Sequence, residues 1–364
     1  MCRERVEPIF DLTEAQWKPI VEAVTGRQDI ADFSLSLEHE VEGYYGGCGD
    51  KLIPTISYLL PSGETGKAVV FVKRYYWQGL SEVLHYQHLE SYHLPIPRLY
   101  GDYALGEGRE ILFLEYLPVI GFPSDCVADW YTFFSLMARF NACVVSAVYQ
   151  EVLLRASLGP TLEDGGSEED LRSCYEYAER GALGDALGHF CRQTREHLPQ
   201  LLENARLVGK QVVQMPRGLI HQDFMPDNIG WHGDRQEMVV FDIHKNALGP
   251  RFHDAARYFG NPSWQGMPSG LRKVEDARSL LTQHYLEDFA RYGGPQVTLE
   301  TFQQEVNLLA WASQIEAIYW MRDRAFENSE GIPAPEPRVR DLLRHQILEI
   351  LRYLISYADP DILR

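Results

Sequence analysis

The segment His221–Asn228, HQDFMPDN, gathers residue types that can move a proton and hold a cation. Asp223 offers a carboxylate in a loop that follows the apolar run GLI, and Asn228 offers a neutral amide oxygen five residues later. Pro226 stiffens the loop between them. Further on, MVVFD reads as an apolar strand ending at Asp242, whose carboxylate would emerge at the strand's C-terminal tip. Transfer of a phosphoryl group to an alcohol needs this complement: one carboxylate orients the acceptor hydroxyl and takes its proton, while an amide oxygen and a second carboxylate hold magnesium against the phosphates. Asp223, Asn228 and Asp242 would fill those roles in that order. A His and an Asp two residues apart are common by themselves. The discriminating pattern is that pair, an Asn five residues on, and an apolar strand ending in Asp shortly after.

Such side chains need elements to position them. A helix is expected over Thr13–Val24, with Thr13 as N-cap. The alternating segments FSLSLEHEVE, PTISYLLPSG and KAVVFVKRY read as strands, joined by the turns GYYGGCGDK (Gly43–Lys51) and PSGETGK (Pro61–Lys67). SEVLHYQHLESY has helical spacing and is closed by the prolines of LPIPR, after which RLYGDYAL and EILFLEYL complete a small antiparallel sheet. PVIGFPSD (Pro118–Asp125) is a turn-rich connector. Helical patterns follow over Val127–Leu154, Ser167–Arg180 and Gly188–Val208; then come three short β signals, GLIHQ, NIGWHG and EMVVFD. From about Leu271 to Leu363 the chain reads as amphipathic helix. The expected fold is α+β and bilobal. Residues 1–117 would form a small nucleotide-binding lobe with a five-stranded antiparallel sheet and one inserted helix. Residues 118–364 would form a larger, mostly helical catalytic and acceptor-binding lobe with a short β-insert.

The HQDFMPDN loop with Asp242 resembles the catalytic loop of the aminoglycoside phosphotransferase and choline kinase superfamily. That loop has the form H-G-D-x-x-x-x-N and is followed by a strand ending in Asp. GPRFHDAARYF supplies Gly249 and Asp254 at positions similar to the family's trailing motif, with Asp254 read as structural, holding a helix start or the loop. The resemblance implies a protein-kinase-like fold, ATP and Mg2+ as cofactors, and a small-molecule hydroxyl as acceptor. It also implies a lysine on the third strand that contacts phosphates and a glutamate on the next helix that holds it. Lys73, ending AVVFVK, and Glu82, opening the following helix, fit those positions. Glu90 is the alternative partner, because eight residues between Lys73 and Glu82 is a short spacing for the family. Gly46, Gly47 and Gly49 are candidates for a phosphate-covering loop, where glycines let backbone amides approach closely; a plain β-turn reads nearly as well. Glu115–Leu117 resembles the linker whose backbone meets the adenine edge, with Glu115 and Leu117 as its contacts. Trp311, Glu316, Tyr319 and Trp320 lie where the family's acceptor pocket draws on C-terminal helices. Two departures stand out. Gln222 replaces the family's glycine between His and Asp, and its side chain is expected to point away from the site. His244 and Lys245 place a basic pair beside the metal carboxylate, to form a salt bridge, contact phosphate, shape the acceptor site or face outward.

Composition bounds the partners. The 364 residues, 45% hydrophobic and 12% aromatic, suit a globular protein of two lobes. A formal charge of −18 disfavours nucleic acid and anionic membranes; it suits a cationic acceptor or simply serves solubility. Net charge does not locate the acidic groups, so sugars and other hydroxylated metabolites stay open, as does oligomeric state. Six scattered cysteines without a CxxC pair, a charged N-terminus and the lack of a long apolar run read as a cytoplasmic protein. Two other classes compete. A metal-dependent hydrolase would use His221, Asp223, His232, Asp242 and His244, leaving Lys73, Glu82 and Asn228 idle. A catalytically silent nucleotide-binding protein would share the fold, although no core residue is missing. A metal site at His85, His88 and His93 is less persuasive than packing. The lack of an activation segment with A-P-E weighs against peptide substrates.

Overall fold

The computed structural model describes residues 12–41, 49–75, 81–106, 109–117, 126–156, 158, 168–180, 185–260, 267, 269–326 and 337–356. Gly46 and Gly47 lie outside them, and so does the connector Pro118–Asp125. The chain divides into two compact units. The first comprises Met1–Phe122, Val145–Ala156 and Asp223–Asn246; the second comprises Pro123–Val144, Ser157–Gln222 and Ala247–Arg364.

In the first unit, helix α1 (Glu14–Thr25) begins where Thr13 forms a capping box with Gln16 and ends at Gly26, in the left-handed region at φ 68°. Strands β1 (Asp32–Val41), β2 (Gly49–Leu59), β3 (Thr65–Tyr75), β4 (Leu99–Gly106) and β5 (Arg109–Glu115) form one antiparallel sheet in the order β1-β2-β3-β5-β4. This is the five-stranded sheet that the alternating pattern predicts, with helix α2 (Glu82–Glu90) inserted after β3. Trp17, Ile20 and Val21 of α1 pack on Val70, Val72, Ile111 and Phe113, and Trp17 meets Phe113 edge-on at 5.1 Å. Side chains alternate across a strand, so burying Val70 and Val72 under α1 turns Lys73 to the other face. There Lys73 stands opposite Leu112 in the ladder.

The expected helix Val127–Leu154 is two helices. α3 (Val127–Asn141) stops before residues 142–146, and α4 (Ala147–Leu153) restarts on Ser146, whose hydroxyl accepts from the Tyr149 N–H. The break places α4 in the first unit. There the Tyr149 hydroxyl lies 2.9 Å from His85 Nδ1, and His88 stacks on the Tyr149 ring at 4.7 Å. Those two histidines thus serve packing. Expected helix Gly188–Val208 is also divided: α6 (Ala186–Gln193) and α7 (Leu198–Gln214) flank a 3-10 turn at Arg195–His197, with Pro199 tolerated in the first turn of α7. α5 (Glu168–Glu179) matches its expected span.

The β signals also resolve into more than one sheet. β6 (Arg217–Ile220) pairs with β9 (Ala247–Pro250) in the second unit, and β7 (Ile229–His232) pairs with β8 (Glu237–Val240) in the first. Strand β9, ALGP, is an element that the hydrophobic pattern does not reveal. The remaining helices are α8 (His253–Phe259), α9 (Ser269–Lys273), α10 (Ala277–Arg291), α11 (Leu299–Phe326) and α12 (Pro337–Ser356). α11 is the hub of the second unit, packing against α5, α7, α8 and α12. Among the described residues no helix is long and apolar enough to cross a membrane.

Where α8 meets α11, the chain requires glycine. A Cβ on Gly260 would lie against Ala310 and 2.7 Å from both the Ala256 and Val306 carbonyl oxygens. Backbone oxygens cannot swing aside, so Gly260→Ala should destabilise the protein by about 2–3 kcal/mol. Chemical denaturation of the two proteins measures this directly.

Candidate functional site

Lys73 and Glu82, nine residues apart, meet Asp242, 169 residues beyond Lys73, in the first unit. Lys73 Nζ lies 2.6 Å from Glu82 Oε2 and 2.6 Å from Asp242 Oδ1. Lys73 is 4% exposed and Glu82 fully buried. Burial alone would lower the lysine's proton affinity, but the charges of Glu82 and then Asp242 outweigh it and hold Lys73 above its ordinary pKa. Burial likewise favours the neutral form of Asp242. Lys73, assisted by His244, overcomes that and keeps the carboxyl well below the usual range. Glu82 is therefore the glutamate that reaches Lys73; Glu90 is exposed.

Each member is held from outside its own element. Ser81, at the N-cap of α2, makes no capping bond itself. Glu110 on β5 caps the helix instead, its two oxygens accepting from the Glu82 N–H (2.8 Å) and the Ser81 hydroxyl (2.6 Å). The β7–β8 hairpin aligns Ile229 with Val240, so Asn228 and Asp242 flank its open end, and the Phe241 N–H donates to the Asn228 carbonyl at 3.0 Å. The Val240 N–H donates to Pro95 O at 2.9 Å, tying the hairpin to the LPIPR turn. Leu117 packs closely over Gly230, where a Cβ would meet its own at 3.1 Å.

The Asn228 amide N–H donates to the Asp223 carbonyl at 2.8 Å, which leaves Asn228 Oδ1 as the outward oxygen. Asp242 Oδ1 takes Lys73 and His244 Nδ1 (3.0 Å), leaving Oδ2. A carboxylate and an amide oxygen form a hard donor set of the kind Mg2+ takes. The Lys73–Glu82–Asp242 group carries one positive and two negative charges, a balance that a dication complements. The residues present thus fit that metal. Glu82, Asp242 and His244 also lie close enough to share an ion, but the Lys73 ammonium already sits against both carboxylates. Of the five ligands a hydrolase would need, His232 is committed elsewhere, its Nε2 2.6 Å from Glu115 Oε1.

Asp223 has Lys245 Nζ 3.6 Å from its Oδ2. Glu115 turns its side chain to His232 and Arg235, and its N–H donates to Arg98 O. A cavity of about 480 Å³ is lined by Tyr86, Glu90, Arg98, Glu115, His232 and Arg235 among others, and Lys73, Asp223 and Asp242 are not in its lining. Gly49 opens β2. In α11, Trp311 and Glu316 are buried and Trp320 is exposed.

A family model for the phosphotransferase enzyme family matches residues 79–294, more than half of the chain. The chain belongs to the phosphotransferase enzyme family. Solved structures show the same protein-kinase-like fold. A spectinomycin phosphotransferase in complex with ADP and spectinomycin is 13% identical, covering 92% of this chain and 98% of its own, with TM-score 0.57. A putative aminoglycoside phosphotransferase from Ralstonia eutropha is 14% identical over 93% and 98%, with TM-score 0.55. A choline kinase from Cryptosporidium parvum is 11% identical over 90% and 91%, with TM-score 0.51. No curated protein matches this family member closely enough in sequence to count as a relative.

Asp254 anchors the chain just ahead of Asp223 in this phosphotransferase-family protein. Asp254, 3% exposed, accepts from the backbone N–H groups of His221 and Gln222, each at 2.9 Å, and from Asn141 Nδ2 at 2.8 Å. Asn141 in turn accepts from the Tyr285 hydroxyl. Burial pushes the Asp254 carboxyl up, but His253, His221 and the backbone donor outweigh it, and its pKa is lowered. Gln222 is held there at φ 65°, in the left-handed region where the family's glycine would be unstrained.

Two predictions follow from this anchor. Asp254→Asn should cost about 2–4 kcal/mol at pH 7, since the amide leaves a buried N–H unsatisfied. Because the folded pKa lies below the unfolded one, this stabilisation is present above about pH 4 and is lost as the pH falls through the folded value. Urea denaturation at pH 7 and pH 3 should therefore show a smaller pH dependence in the variant. Gln222→Gly should raise stability by about 1 kcal/mol, read as an increased urea midpoint.

Proposed function

We propose that this chain transfers the γ-phosphate of ATP, with Mg2+, to a hydroxyl group of a small molecule. The single observation that carries the reading is Lys73 Nζ at 2.6 Å from both Glu82 and Asp242, joining strand β3, helix α2 and Asp242, which lies two residues past the end of β8 at Val240 and not at the tip of the strand itself. Membership of the phosphotransferase enzyme family supports the reaction class, and the ADP held by the spectinomycin enzyme supports the nucleotide.

In this reading, residues 1–117 take the nucleotide and the chain beyond them supplies the acceptor site. Lys73 contacts the α- and β-phosphates, while Glu82 fixes the lysine's position. Glu115–Leu117 meets the adenine edge through backbone groups, and glycines 46, 47 and 49 cover the phosphates. Asn228 and Asp242 would hold the metal, which would supply positive charge to neutralise the phosphates. Asp223 orients the acceptor hydroxyl and receives its proton as the new O–P bond forms. The acceptor is a hydroxylated small molecule. An amino alcohol or aminoglycoside suits the acidic chain.

A screen of ADP release over hydroxylated amines, antibiotics and sugars, with ATP and magnesium, should find an acceptor. Asp223→Ala should then lower kcat by about 10³-fold while leaving ADP affinity within about threefold, since the carboxylate acts on the acceptor. Acceptor-dependent ADP release at the wild-type rate in that variant would sink the assignment.

A further inference from the structure

We propose that Lys245 is a catalytic residue whose ammonium contacts the phosphoryl group during its transfer to the acceptor. The inference rests on the phosphotransfer reading above and adds to that site a group the reading leaves out.

Asp242 adopts φ 61° and ψ 47°, and the chain then makes a single 3-10 turn over Ile243–Lys245. That turn sends the Lys245 side chain back to Asp223, with Nζ 3.6 Å from Oδ2. The pair is open to solvent, the lysine half exposed and the aspartate about a quarter exposed. An ion pair so placed contributes little to stability. Lys73, by contrast, is buried, and Glu82 and Asp242 each lie 2.6 Å from its ammonium.

The position of the reacting atoms follows from Asp223. A hydroxyl that gives its proton to this carboxylate lies about 2.7 Å from it. The same hydroxyl oxygen attacks phosphorus from about 3–3.5 Å. An ammonium 3.6 Å from the carboxylate, on a flexible four-carbon stem, is therefore within reach of the equatorial phosphoryl oxygens. The charge balance gives it a task there. The phosphoryl group carries negative charge toward Asp223, a carboxylate that repels it, and Lys73 is engaged with Glu82 and Asp242. In the step, the acceptor O–P bond forms and the bond from phosphorus to the bridging oxygen of ATP breaks. The electron pair leaves with ADP, the acceptor proton goes to Asp223, and Lys245 keeps its own proton throughout. Fixed positive charge at a transferring phosphoryl group is worth about 10²–10³ in rate.

The test needs no knowledge of the acceptor. Wild type, Lys245→Met and Lys245→Arg are titrated with ADP and magnesium, with and without aluminium fluoride, which mimics the planar phosphoryl group. The wild type should bind ADP more tightly with the fluoride. Lys245→Met should lose about 100-fold of affinity for the mimic while its affinity for ADP alone stays within about threefold. Lys245→Arg should recover to within about tenfold of wild type. Equal affinity of wild type and Lys245→Met for the mimic overturns the proposal, as does an equal loss for ADP alone. A wild type that binds ADP but gains nothing from the fluoride overturns the Lys245 contact alone. A wild type that binds no ADP overturns the phosphotransfer reading and this inference with it.

Discussion

A lysine ammonium with 4% exposure is tolerable only where carboxylates reach it, and most of the first unit can be understood as the means of bringing two of them. Removing Lys73 would leave two facing carboxylates without their shared counter-charge. Lys73 faces away from α1 because Val70 and Val72 face toward it. Glu82 is at the right height because Glu110, on the strand next to β3, ties down the start of α2. Asp242 arrives because the β7–β8 register and the Pro95 carbonyl fix the end of the hairpin. One cation against two anions leaves a net negative charge at this cluster. The same interaction that holds the elements together thus sets the electrostatics of the candidate site.

Much of this was legible in the sequence, for identifiable reasons. Alternation with period two is a strong signal, and the five strands of the sheet carry it. Asp223, Asn228 and Asp242 are close in sequence, so their association is largely local. Lys73 and Glu82 were found through position in a known order of elements, not through local chemistry. What escaped lacks local signals. Strand β9 is four residues long and reads ALGP, with a glycine and a proline that suggest a turn. The α3–α4 break at residues 142–146 contains neither glycine nor proline; its one local signal is Ser146, the N-cap of α4, and beyond the break Tyr149 packs against His85 and His88. Glu110 as a cap was invisible, since it lies 28 residues from the N–H it accepts from.

Asp254 shows how a residue recognised by motif can acquire a physical role. Its carboxylate holds two consecutive backbone N–H groups, at His221 and Gln222, immediately before the loop that carries Asp223. The bonds fix Gln222 in a conformation costly for a residue with a side chain. Asp242 is also left-handed, at φ 61°. The hairpin bearing Asn228 is therefore bracketed by two strained positions, one before Asp223 and one at the lysine's partner. The surrounding hydrogen bonds hold both in place, which is the usual circumstance in which such strain persists.

The distant cap on α2 has a consequence for how the first unit loosens. A nine-residue helix is too short to be stable alone, and this one has no capping side chain of its own. Its first turn depends on Glu110, which the pairing of β5 with β3 delivers. Fraying of β5 from β3 therefore withdraws the cap and, with it, the support of Glu82 against Lys73. The buried ion pair is thus coupled to the integrity of the sheet and not to α2 alone.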